Sequence, residues 1–109
     1  MAEKIKAVVV GAAGRMGARI IHVIQETASM GLFRAVERAD HPAIGWDIGE
    51  IIGLGKLGIS LEGSLKKPGG DVVIDFTNPQ TSLETLTFAK ESGLAAVIGT
   101  TGLDRKSVV

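Results

Sequence analysis

The sequence predicts an α/β fold built on a parallel sheet. Three observations carry that reading. Short valine-rich runs recur along the chain, at Ile5–Val10, Asp71–Phe76 and Leu94–Ile98. Segments of helical periodicity lie between them. Glycine, or an Asn-Pro pair, marks the boundaries. Apolar runs without alternation suit strands covered on both faces, and strands alternating with helices imply parallel pairing.

Ile5–Val10 (IKAVVV) is the first strand, closed at once by Gly11. Gly14–Ser29 follows as a helix. Met16, Ile20, Val23, Ile24 and Ala28 form its apolar face, with Arg15, Arg19, His22, Gln25 and Glu26 opposite. Gly31 is the expected helix stop. Leu32–Glu37 (LFRAVE) is the second strand. Ile5 to Glu37 thus spans about 33 residues, the size of a βαβ unit. Ala39–Ser64 reads as a glycine-rich loop with one helical turn near Asp47–Ile52 and a short strand around Gly58–Leu61. Lys66–Gly70 (KKPGG) is turn chemistry. After the strand Asp71–Phe76, Asn78 offers a helix N-cap with Pro79 in the first helical position. Leu83, Leu86, Phe88 and Ala89 are the expected apolar face of that helix, and Gly93 closes it. Leu94–Ile98 is expected as a buried strand, ended by Gly99-Thr100-Thr101-Gly102.

Composition narrows the function classes. The chain has 109 residues, with 12 basic and 12 acidic side chains and zero formal charge. Zero charge argues against nucleic acid as the main partner, since phosphate backbones demand a basic face. The chain holds no cysteine, which removes disulfides, thiolate zinc sites and cysteine nucleophiles. No apolar run reaches the roughly 18 residues of a membrane span, and MAEKIK lacks the apolar stretch of a secretory signal. A cytoplasmic protein with no membrane partner is expected. Glycine is abundant, 15 of 109, about twice the usual ~7%.

The chemistry concentrates in Gly11-Ala12-Ala13-Gly14-Arg15-Met16-Gly17, placed between strand and helix. Glycines there permit a tight turn, close backbone approach to a pyrophosphate and close helix–strand packing. The first helical N–H groups and the helix dipole then favour an anion. Glu37 ends the second strand 20 residues after Gly17, where a dinucleotide site needs an acid for ribose hydroxyls. The stricter Gly-x-Gly-x-x-Gly pattern is broken at Ala12. No Gly-Lys-Ser/Thr follows, so a P-loop is excluded. Arg38 is open to two readings, a partner for a 2′-phosphate or a solvated charge at a strand end. The cofactor is therefore NADH or NADPH. Asp75-Phe76-Thr77 and Gly99–Gly102 fall at C-terminal strand ends, the binding edge of such sheets. As turns alone they carry no assignment, and Asp75 is equally suited to satisfying loop N–H groups. His22 and His41 read as solvated, Trp46 as a loop anchor, and no cluster has metal-ligand spacing.

GAAGRMG, AVER, IDFTNP and VIGTTG, in this order, resemble the N-terminal part of the dihydrodipicolinate reductase family. The stretch GWDIGEIIGLGKLGISL is similar to that family's loop between the second and third strands. The resemblance runs from about Ile5 to Thr101. It implies a Rossmann-like, doubly wound parallel sheet with helices on both faces, incomplete at its C-terminal side. It implies one NAD(P)-binding domain over residues 1–109, truncated, with the substrate domain absent.

By the same resemblance, Gly11 to Met16 would hold the pyrophosphate, with Arg15 beside it. Glu37 would take the ribose hydroxyls and Arg38 the 2′-phosphate. Phe76 would pack near the nicotinamide, and Gly99, Thr100 and Thr101 would contact its ribose and amide. Asn78 stands where some members carry a basic residue. The family's paired histidines and catalytic lysine have no match here, so no catalytic residue is assigned. The implied reaction reduces 4-hydroxy-tetrahydrodipicolinate in lysine and diaminopimelate biosynthesis. The dipicolinate-type substrate is expected only with the missing domain, and the full-length protein is expected to be a homo-oligomer. The competing class is a non-enzymatic NAD(P) sensor, which would have no use for the GTTG string.

Overall fold

The computed structural model describes residues 4–67 and 70–99. Its strands are β1 (Ile5–Val10), β2 (Met30–Val36), β3 (Leu61–Glu62), β4 (Val72–Asp75) and β5 (Ala95–Ile98). Its helices are α1 (Arg15–Glu26), α2 (Ile48–Ile51) and α3 (Pro79–Ser92). The five strands form one sheet in the order β3-β2-β1-β4-β5, and each neighbouring pair is parallel. The chain winds outward from β1 through β2 to β3, then crosses back to β4. A topological switch therefore falls between β1 and β4, where such sheets open a crevice at their C-terminal edge.

Period-two alternation along β1 builds two cores. Ala7 and Val9 face the layer of Ile21 and Ile24 from α1, with Ala43, Ile48 and Leu61 beyond. Val8 and Val10 face the other layer, with Val36, Val73 and Ala89 of α3. Helices thus cover both sides of the sheet, and the central strand is buried on both faces.

Three expectations need correction. α1 turns Gly17, Ile21 and Ile24 inward, whereas Met16 and Val23 are exposed and so is Ala28. The cause is steric. A Cβ at Gly17 would lie 2.1 Å from the Gly11 carbonyl oxygen, so this face must present no side chain to the preceding turn. α1 also ends early: Thr27 caps it in an extended conformation, its hydroxyl donating to the Val23 carbonyl at 2.7 Å. Gly31 lies inside β2 instead of stopping the helix.

The second correction concerns α3. Its inward residues are Ser82, Thr85 and Ala89, while Leu83 and Leu86 are exposed. The third is β5, which is an edge strand with Val97 48% exposed. It pairs only with β4 among the described residues, and alternate side chains face outward.

The glycine-rich segment is organised by one carboxylate. Asp47 caps α2 and accepts from the N–H groups of Gly49 (2.8 Å), Glu50 (3.4 Å), Leu57 (2.9 Å) and Gly58 (2.6 Å). These bonds, Leu57's first, lower its pKa below the ordinary carboxylate value, with desolvation pulling the other way. The expected helical turn is thus α2, and the strand expected at Gly58–Leu61 is the shorter β3, starting three residues later and ending one later.

Candidate functional site

The C-terminal ends of β1, β2 and β4 open into a cleft of about 690 Å³. One wall is the β1–α1 turn, through Gly11, Gly14, Arg15, Met16 and Gly17. The strand ends give Val10, Val36, Glu37, Arg38 and Ala39. The turn after β3 gives Gly63, Ser64 and Leu65. The far wall is Phe76, Thr77 and Asn78 with Thr81, Glu84, Thr85 and Phe88 of α3.

The β1–α1 turn is built by glycine. Gly11 adopts φ +80°, a left-handed conformation that disfavours any side chain. Its amide donates to the Val36 carbonyl at 2.8 Å, and Gly14 N–H returns to the Gly11 carbonyl at 3.1 Å. Gly14 is the N-cap of α1 and offers no side-chain cap. The first-turn N–H groups of Arg15 and Met16 have no helical partner, and among the described residues nothing else caps them. The helix end carries partial positive charge and faces the cleft. Gly14 is the position where bulk would enter that space: its φ is −80°, open to any residue, and a Cβ there would meet only the Gly11 oxygen, at 3.4 Å.

Glu37 closes the opposite rim. Its carboxylate accepts from Ala13 N–H at 3.0 Å and from Arg38 N–H at 3.3 Å. The acid is tied to the glycine turn and keeps further lone pairs for hydroxyl donors. Arg38 is 71% exposed and pairs with Asp40 at 3.5 Å. An exposed pair of that length is weak, so the guanidinium can be drawn to an incoming anion.

Seven of the residues assigned from sequence therefore meet in one cleft: Gly11, Gly14, Arg15, Met16, Glu37, Arg38 and Phe76. Ala12 and Ala13 do not line it. Ala12 is buried and its N–H is spent on the Val36 carbonyl at 3.2 Å, as Ala13's is on Glu37. Gly99 stands behind Phe76: a Cβ there would lie 2.0 Å from the ring. Thr100 and Thr101 lie outside the described residues. Reading by sequence missed Gly63–Leu65 and the α3 wall. The signal available was topological, since these residues follow strands that end at the same edge.

No group of three or more potential metal ligands occurs among the described residues. No helix there is long and apolar enough to cross a membrane.

A family model described as dihydrodipicolinate reductase, N-terminus, matches residues 5–108. The chain belongs to that family. It is 47% identical over 100 residues to a 4-hydroxy-tetrahydrodipicolinate reductase of Syntrophus aciditrophicus (strain SB), covering 90% of this chain and 37% of the relative. With the enzyme of that name from Methanococcus vannielii it shares 43% over 108 residues, 94% of this chain and 40% of the relative. With that of Pseudomonas fluorescens (strain Pf0-1) it shares 46% over 99 residues, 88% and 37% respectively. The chain thus spans about two-fifths of the length of these relatives.

Proposed function

We propose that the cleft binds NADH or NADPH and that the chain is the cofactor-binding part of a 4-hydroxy-tetrahydrodipicolinate reductase. The observation that carries this is the uncapped N-terminus of α1, opening on the switch-point crevice with Glu37 at its rim. An anion there gains the free N–H groups and the helix dipole together. The cleft volume and the side-chain-free approach at Gly11 and Gly14 fit a dinucleotide.

In this reading Arg15 and Met16 N–H groups hold the pyrophosphate. Glu37 accepts from the adenine-side ribose hydroxyls while its bond to Ala13 keeps it in place. Arg38 leaves Asp40 to meet a 2′-phosphate. The Phe76 ring, backed by Gly99, walls off the nicotinamide half and excludes water. Bound dihydronicotinamide supplies a hydride to the substrate ring. Positioning the dipicolinate-type substrate and protonating it fall to residues outside these 109, in a substrate domain of a homo-oligomeric cytoplasmic enzyme.

Two measurements test this. Titration with each cofactor should give saturable binding, and Arg38→Ala should weaken NADPH severalfold while leaving NADH within about twofold, as expected for one exposed charge contact. Equal weakening of both would return Arg38 to a structural role. A coupled assay with freshly generated substrate should show no turnover by the chain alone, since substrate and ring must be held at close range. Turnover at the rate of a whole reductase would move catalysis onto the binding residues.

A further inference from the structure

Asp75 is fully buried at the end of β4, and its carboxylate is surrounded by donors. Oδ1 accepts from the Thr77 N–H at 2.8 Å, the Thr77 hydroxyl at 2.5 Å and the Ser82 hydroxyl at 3.2 Å. Oδ2 accepts from the Thr85 hydroxyl at 2.5 Å. The one acceptor thus joins three parts of the cleft wall: the strand end, the turn after it and the first two turns of α3.

The bond pair to Thr77 has a geometric consequence. With both N–H and O–H held on Oδ1, the Thr77 side chain has one orientation, and its methyl is pressed toward the glycine turn. A Cβ at Gly11 would lie 2.6 Å from that methyl. Val10, just before Gly11, is the register partner of Asp75. The two turns that bound the crevice are therefore in contact, and the contact is set by a residue that does not itself reach the cleft.

We infer that Asp75 is a positioning residue for dinucleotide binding: by fixing Thr77 against Gly11 and α3 against β4, it sets the crevice to its binding width before the ligand arrives. This rests on the dinucleotide reading of the cleft. Preorganisation of this kind strengthens binding by removing the cost of ordering the wall. It also accounts for the polar inner face of α3, whose Ser82 and Thr85 serve the carboxylate.

The test is a set of NADH titrations on the full chain, with thermal unfolding followed in parallel. Thr77→Val keeps shape and removes only the hydroxyl; Thr77→Ser keeps the hydroxyl and removes the methyl. If the pinned hydroxyl sets the wall, Thr77→Val weakens NADH about tenfold, while its melting temperature falls only as far as one lost hydrogen bond requires and the chain stays folded at the temperature of titration. Thr77→Ser then stays within about threefold, and Asp75→Asn weakens NADH as Thr77→Val does, with the double variant no worse than either. Folded Thr77→Val that binds NADH like the unsubstituted chain overturns the inference while the cofactor reading stands. So does additivity of the Asp75 and Thr77 effects. Should Asp75→Asn fail to fold, the Thr77 pair decides alone. Absence of NADH binding by the unsubstituted chain overturns the dinucleotide reading and this inference together.

Discussion

The two strand-to-helix turns that face each other across the cleft handle their polar groups in opposite ways. After β4, the chain satisfies itself: Asp75 takes Thr77, Ser82 and Thr85, and the Asn78 side chain caps α3 through Thr81 N–H at 2.9 Å. Pro79, in the first helical position, has no N–H to satisfy. After β1, the helix begins at a glycine with no side-chain cap, and its first amides are left facing the cleft. A missing cap costs an ordinary helix about 1 kcal/mol. One turn spends its donors within the fold, and its neighbour leaves its first amides unspent.

The largest expected effect breaks the self-satisfied turn. Asp75→Ala strands the Thr77 N–H and the Thr77 and Thr85 hydroxyls and should cost about 3–4 kcal/mol, lowering the midpoint of urea unfolding. Unchanged stability would mean that the hydroxyls find other acceptors, and the contrast between the turns would weaken. Next comes the open turn. Gly14→Val should leave the fold in place, because φ −80° and the free space at that position accept a side chain. NADH binding should fall by more than about tenfold as the branched chain fills the anion's place. Wild-type binding by the folded variant would put the pyrophosphate elsewhere.

A smaller effect concerns Asp47, whose pKa is lowered in the folded chain. Its contribution is present above the unfolded carboxylate pKa, about 3.9, and is lost as pH falls through the lower folded value. Acid unfolding monitored by circular dichroism should therefore steepen below about pH 4, and Asp47→Asn should flatten that limb. An identical acid profile for the variant would assign the loop's stability to its apolar contacts, Ile48 and Leu61 above all.

What the sequence made legible follows the same contrast. β1 was readable because a doubly buried strand needs an unbroken apolar run. Both ends of α3 were readable because Asn78-Pro79 and Gly93, at φ +71°, are residue types chosen by backbone geometry. The inward faces of α1 and α3 were readable only in part, at Ile24 and Ala89. Hydropathy counts side chains, and α1 packs through the absence of one at Gly17. On α3 the pattern points to Leu83 and Leu86, yet a buried carboxylate across the chain makes Ser82 and Thr85 the better inward residues. Within the candidate site, the glycine turn and Glu37 carried local signatures. Gly63–Leu65 and Glu84 reach the cleft only through strand order, which no short motif records.

Amide NMR of the chain during NADH addition reads whether the open end of α1 receives the dinucleotide. Saturable shifts are expected at Gly14, Arg15 and Met16, with Gly49 and Leu57 in the Asp47 loop unmoved. Saturable binding whose shifts bypass residues 14–16 and gather elsewhere, for example in the hollow beside Trp46 and Glu50, would contradict it.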